Sequence, residues 1–549
     1  GFASDVIIQG SFTDDEVSSL VDLINSGSLP AKLSEVSSQT VGASFGDETL
    51  HTTLIAGIIA IIAIVLILIF IYHFAGFISS ISMMIYTFLV FGIFWLVGGV
   101  LTLPGIAALV LGIGMAVDSN VITFARIKDE LLKGKSLPTA FKEGSKSSFS
   151  AIVDSNITTL IVAIIMFMFG ESSIKGFATM LIITVLVTMV TMVFLTRSLL
   201  KIFVNSNFFN DKTKLFINIK KEDIPDVSKN EEAKPNMFNK VNFFKHKKIA
   251  IAISLIIIII GSIMIGVKGL NLGIDYRAGT DVTIVTDKDV SKKALEADLS
   301  KLKLKDSSID IGTDEISIRI DDALDGDKVK ETNNYFEEKY DAKVNIGVVS
   351  NLVQKELIKN AILSVLIALI GIILYVSIRF KFSYAVGGVV ALIHDVCIIF
   401  ALFALTRFEV SSMFIAAVLA IIGYSINDTI VLFDRIRENI NEYGNSKKMT
   451  PEKLEELANL SVQETFTRTI YTSLTTLIPV VVLLILGSSG IFTFNMAMLF
   501  GLIAGTYSSI FIATIIFLSI EKKNIGKKVK PKKVYKDDYE ELEVKGVNC

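Results

Sequence analysis

The chain has 549 residues, 52% of them hydrophobic and 20% charged, with a formal net charge of -2. A mean hydropathy of +0.60 points to a membrane protein, and the near-neutral balance offers no basic field for nucleic acid. Of the two cysteines, Cys397 lies in an apolar segment and Cys549 is terminal, so a disulfide framework is excluded.

Residues 1–50 open on a strand-like Val6-Ile7-Ile8-Gln9-Gly10, with no signal peptide visible. A helix is expected from a Thr13 to Glu16 capping box, then a Gly-Ser-Leu-Pro turn and a strand through Thr40-Val41. The segment reads as the last part of a larger external domain whose beginning lies upstream.

Apolar runs of about 20 residues can span a bilayer. They occur at 51–73, 77–101, 105–127, 149–170, 175–200, 248–268, 357–379, 382–406, 411–434, 465–487 and 492–519. That makes eleven, with a twelfth expected upstream. Five fall in a first membrane domain, 51–200, one in 247–268, and five in a second membrane domain, 356–520. Residues 201–246, polar, mixed in charge and holding Pro225 and Pro235, read as a linker; 521–549 read as a basic and acidic tail. Lys128, Lys133, Lys135, Lys245, Lys247, Lys248, Arg379, Lys381, Arg435, Arg437, Lys447, Lys448 and Lys522 to Lys533 share one side if the helices alternate. That side is the cytoplasm. On the far side, residues 269–355 read strand, helix, hairpin, helix, strand: the βαββαβ order of a ferredoxin-like domain.

The two membrane domains repeat one another. Ile113-Gly114-Met115-Ala116-Val117-Asp118-Ser119-Asn120, running on to Arg126, aligns at offset 309 with Ile422-Gly423-Tyr424-Ser425-Ile426-Asn427-Asp428-Thr429, running on to Arg435. Further along, Thr158-Thr159, Phe177 and Phe194 align at offset 317 with Thr475-Thr476, Phe494 and Phe511, so eight residues are added between. The chain is therefore expected to be an α-helical polytopic membrane protein built as two parallel pseudo-repeats, with a ferredoxin-like extracytoplasmic domain.

Ionisable groups inside spanning helices usually face a wet or protein-lined interior and mark ion pathways. Asp118 lies midway along its helix and reads either as an ion-coupling carboxylate or as a structural one bonded to a neighbouring Ser, Thr or Asn. Its repeat mate is Asn427, an asymmetry that favours coupling. Asp428 follows that mate. Arg468, whose mate is Ala151, is the natural counter-charge for either carboxylate, or else snorkels to the interface. Asn120 joins this ion-coupling group. His394-Asp395 reads as a relay or as a helix-to-helix hydrogen bond, Asp434 as a cap or salt bridge, and Gly501 with Gly505 as packing.

The signatures around Gly114, Asp118 and Arg126 resemble SecD. Gly423 to Thr429 with Asp434-Arg435, Gly273-Ile274-Asp275-Tyr276-Arg277-Ala278-Gly279, His394-Asp395, Arg468, Thr475-Thr476 and Gly505 resemble SecF. Ala125 and Ala278 depart from the usual Glu and Gly. The resemblance covers essentially the whole chain and implies fused SecD and SecF translocase accessory subunits of the resistance-nodulation-division superfamily.

That resemblance implies a multi-pass protein of the bacterial cytoplasmic membrane. Its implied partners are the SecYEG channel with the SecA ATPase and unfolded preproteins, with YajC-like and YidC-like membrane proteins admitted. It implies no cofactor beyond a translocated proton or sodium ion. A small-molecule or lipid exporter of the same superfamily is the alternative. An enzyme finds no support, since there is no phosphate-cradling loop and no metal-spaced His or Cys cluster.

Overall fold

The computed structural model describes residues 13, 17, 21, 37–41, 43–170, 172–225, 238, 240–286, 288, 290–304, 307–311, 316–444 and 449–525. The expected strand at 6–10, most of the capping box, the turn before Pro30, Lys447, Lys448 and the tail beyond 525 lie outside them. The chain forms two compact units, 1–40 with 278–353, and 41–277 with 354–549.

The smaller unit is the expected βαββαβ: β2 (Gly279–Val285), α9 (Lys292–Lys301), β3 (Ser307–Ile311), β4 (Ile316–Ile320), α10 (Gly326–Tyr340) and β5 (Lys343–Val349). With β1 (Ser37–Val41) the sheet order is β1-β5-β2-β4-β3. Alternation sets the register: Val282 stands opposite Ile318 and Ile346, and all three point into one core with Leu295, Leu299 and Phe336. Ser291 and Asp325 cap the two helices by accepting from Ala294 and Lys328 backbone N–H. Gly279 is required: at φ +120° an added Cβ would lie 2.4 Å from the Ile320 carbonyl. Ala278 beside it also has φ +63°, a left-handed conformation.

The larger unit holds, among the described residues, ten helices long and apolar enough to cross a membrane. The first, α1 (Ala43–Leu96), is broken at His73 (φ 49°, ψ -121°), so the spans expected at 51–73 and 77–101 fall on the two arms of one broken helix, the second arm ending at Leu96. In chain order follow α2 (Leu103–Leu132), α3 (Leu137–Phe169), α4 (Ser172–Thr188) running through a π-turn into α5 (Thr196–Asn205), the short α6 (Thr213–Ile217), and α7 (Lys247–Lys268). A single turn, α8 (Ile274–Arg277), leads to the small unit. After it come α11 (Asn351–Arg379), α12 (Phe382–Thr406), α13 (Ser412–Tyr443), α14 (Pro451–Leu486), and α15 (Phe492–Ser508) running through a second π-turn into α16 (Thr514–Asn524). Part of the segment read as a linker is folded: α6 packs against the His73 bend.

The repeat is visible in the contacts. Gly114 on α2 approaches Thr476 on α14, with its ideal Cβ 3.3 Å from the Thr476 Cα; Gly423 on α13 approaches Thr159 on α3 at 3.5 Å. These are the same pair of mates seen from each half, which makes the interface isologous. Mates Phe177 and Phe494 meet each other, ring centroids 5.1 Å apart. α2 and α13 are the innermost helices, with 94% and 100% of their most apolar windows buried.

Candidate functional site

The site forms where α2 and α14 cross. Thr102 caps α2 by accepting from Gly105 N–H, with Pro104 in the first turn, and the helix then runs unbroken through Asp118. Small Gly114 lets α14 approach one turn earlier, which brings Thr472 into reach. The Thr472 hydroxyl donates to Asp118 Oδ1 at 2.8 Å. Arg468, one turn back on α14, has its Nη2 3.9 Å from the same oxygen, an ion pair without a hydrogen bond. Arg468 is 6% exposed, so it does not snorkel.

Asp428 is 3% exposed and interacts electrostatically with both Arg468 and Asp118. Its Oδ2 has no hydrogen-bond partner, and neither do Nε, Nη1 and Nη2 of Arg468. Two carboxylates thus share one guanidinium in a water-poor interior. Among the described residues Arg468 is the one cation that acts on both carboxylates, and a buried charge left without a partner is strongly unfavourable. Tyr424 donates to Thr476 at 3.2 Å beside it, and Tyr72, fully buried at the His73 bend, packs its ring 6.3 Å from Tyr471.

Asn427 is tied to the other repeat: Thr158 on α3 donates to its Oδ1 at 2.9 Å. Asn120, expected with the ion-coupling group, is placed away from Arg468. Two residues on from Asp118 it faces away, and its amide donates to Ser79 at 2.6 Å and to Met192 Sδ at 3.2 Å. Its mate Thr429 makes the equivalent contact, 2.8 Å to Ser509, the mate of Met192. Asn120 therefore joins a signature helix to a π-turn.

His394 and Asp395 are fully paired. His394 Nδ1 lies 2.9 Å from Asp395 Oδ1 and its Nε2 2.9 Å from Ser254. Ser425 and Ser508 donate to Asp395 Oδ2 at 2.5 and 2.9 Å. The dyad bonds α7, α12, α13 and α15 to one another.

At the basic end the signature arginines converge. Arg126 Nη1 is 2.9 Å from Glu438, which Arg435 also meets at 3.0 Å; Arg435 adds Glu464 at 2.7 Å. Asp434 pairs with Arg437 at 2.6 Å. At the opposite end of α13, the Ser412 N–H donates to Asp275 Oδ2 at 2.8 Å. That carboxylate caps the helix from outside its own sequence. Gly273 N–H donates to the Val410 carbonyl at 2.9 Å, and Gln354 to the Tyr276 carbonyl at 2.9 Å. The segment leading to Gly279 is thereby clasped to the helix that carries Asn427 and Asp428. Thr158, Tyr72 and Asp275 as a cap were missed as site groups, because each acts on residues far away in sequence.

Residues 25–206 and 328–523 match the family described as protein export membrane protein SecD/SecF, C-terminal, and residues 263–290 match the SecD/SecF GG motif. The chain is similar to the protein translocase subunit SecDF of Bacillus subtilis, 42% identical over 529 residues, 95% of this chain and 71% of that one. The SecDF subunit of Thermus thermophilus is 31% identical over 521 residues, 92% of this chain and 67% of that one. A crystal structure of SecDF from Thermus, described as a translocon-associated membrane protein, matches with a TM-score of 0.80 at 31% identity, covering 94% of this chain and 69% of that chain.

Proposed function

Because this chain belongs to the SecD/SecF family of protein-export membrane proteins, we propose that it uses a proton or sodium gradient to promote late steps of preprotein export. The family makes it a multi-pass Sec translocase subunit. The finer reading rests on one observation: Asp118 and Asp428 share a single, under-bonded Arg468 at the junction of the two repeats. Gain or loss of one cation changes which carboxylate Arg468 holds, and with it the fit of α14 against α2. The clasp at Asp275 offers a route from α13 to the small unit, where an emerging polypeptide would be held. One charge crossing 100 mV supplies about 2.3 kcal/mol, roughly a 50-fold bias on a two-state element.

In this proposal the protein lies in the bacterial cytoplasmic membrane with its basic ends inside. It works with the SecYEG channel and SecA, with YajC-like and YidC-like proteins as further neighbours. The test is release of a reporter preprotein from membrane vesicles while the proton and sodium gradients are collapsed separately. Asp118→Asn should accumulate normally yet lose gradient-dependent stimulation; full stimulation by that variant would leave Asp118 a structural carboxylate.

A further inference from the structure

The elbow between α5 and the segment after α6 has two unlike sides. Toward the protein, Phe209, Phe216, Ile217 and Ile219 are buried. Phe209 packs 4.7 Å from Phe74, His73 Nδ1 lies 2.9 Å from the Lys214 carbonyl, and the Asn218 amide donates to the Ile71 carbonyl at 3.4 Å. These contacts hold the elbow rigidly on the bend of α1. Away from the protein, Ile202 (64%), Phe208 (56%) and Leu215 (52%) are exposed. Lys201, Lys212 and Lys214 are exposed among them, and Lys212 Nζ sits 3.8 Å over the Phe208 ring. From 196 to 223 there are six cations and three carboxylates, and one of those, Asp211, is paired with Lys221 at 2.6 Å.

The span that ends in α5, Ile174–Asn205, has 32 residues. At 1.5 Å per residue that is about 48 Å, longer than the hydrocarbon core of about 30 Å, so its last turns stand among the headgroups. Rigid apolar side chains interleaved with lysine at that depth are the pattern of an interfacial, anion-seeking surface. Left in water, such side chains would be an association hazard.

We propose that this elbow is a docking platform for anionic phospholipid. Phe208, Leu215 and Ile202 enter the acyl boundary of the leaflet, while Lys201, Lys212 and Lys214 hold phosphate headgroups. Bound lipid then braces the His73 bend, and with it Tyr72.

The chain has one tryptophan, Trp95. A Trp95→Phe background with Phe208→Trp therefore places a single reporter at the elbow of the full chain. It would be reconstituted in vesicles of phosphatidylcholine and phosphatidylglycerol, with bromine at equal content on the acyl chains of one or the other. Each lysine near an anionic surface favours it about fivefold, so bromine on phosphatidylglycerol should quench more strongly. Changing Lys201, Lys212 and Lys214 to Gln should abolish that preference while leaving quenching by either lipid. Equal quenching by both lipids in the lysine-bearing protein would overturn anionic selectivity. Quenching by aqueous acrylamide but not by bromine would overturn lipid docking altogether and point to a protein partner.

Discussion

Arg468→Leu tests whether the buried charges act as a unit. With Nη2 3.9 Å from Asp118 Oδ1, a Coulomb energy at an effective dielectric of about 20 comes to roughly 4 kcal/mol. Removing one partner of a buried pair costs about 3–5 kcal/mol, because the other charge is left stranded. Arg468→Leu alone should therefore destabilise strongly, and Asp118→Asn alone should strand Arg468 only in part, since Asp428 remains. The double variant should be more stable than the sum of the singles predicts, with a coupling of about 1–3 kcal/mol. Equilibrium unfolding in mixed SDS micelles gives all four corners of the cycle, and gradient-driven export measured on the same proteins should be lost equally in the three variants. Stability losses that add within about 0.5 kcal/mol would refute the shared-charge reading.

Gly279→Ala should disrupt pairing of β2, whereas Ala278→Gly should relieve a left-handed alanine and stabilise by roughly 0–1 kcal/mol, read by hydrogen exchange of the β2 amides. Arg435→Met should cost about 2 kcal/mol and its mate Arg126→Met under about 1, since Arg435 is buried with two carboxylate partners and Arg126 meets a half-exposed one; equal losses on SDS unfolding would contradict this. Burial pushes Asp298 up, but hydrogen bonds from Lys339, Tyr340 and Tyr335 outweigh it and hold the carboxyl below its ordinary range. A depressed folded value means stability present above the unfolded value of about 3.9 and lost as pH falls through the folded one. The stability gap between the native chain and Asp298→Asn, followed by exchange of the small unit's amides, should thus be constant above about pH 5 and close below about pH 4.

Hydropathy, spacing and repeats are properties of neighbouring residues, and they were legible without coordinates. The eleven spans, the βαββαβ order and the offset between Asp118 and Asn427 all follow from local patterns that burial and pleating impose on any chain. The identities of the buried charges were legible for the same reason, since an Asp or Arg within an apolar run stands out. Which groups meet was decided only by the tertiary structure. Thr472 bonds Asp118 across 354 residues and Asp275 caps α13 across 137, and no periodicity encodes such pairings. Asn120 stood in the same signature as Asp118 yet faces another helix, because a separation of two residues turns a side chain to the far side of an α-helix. The elbow around α6 looked like linker because its composition is polar on average. It folds because Phe209 and Phe216 find the bend at His73, a surface that exists only once α1 has broken there.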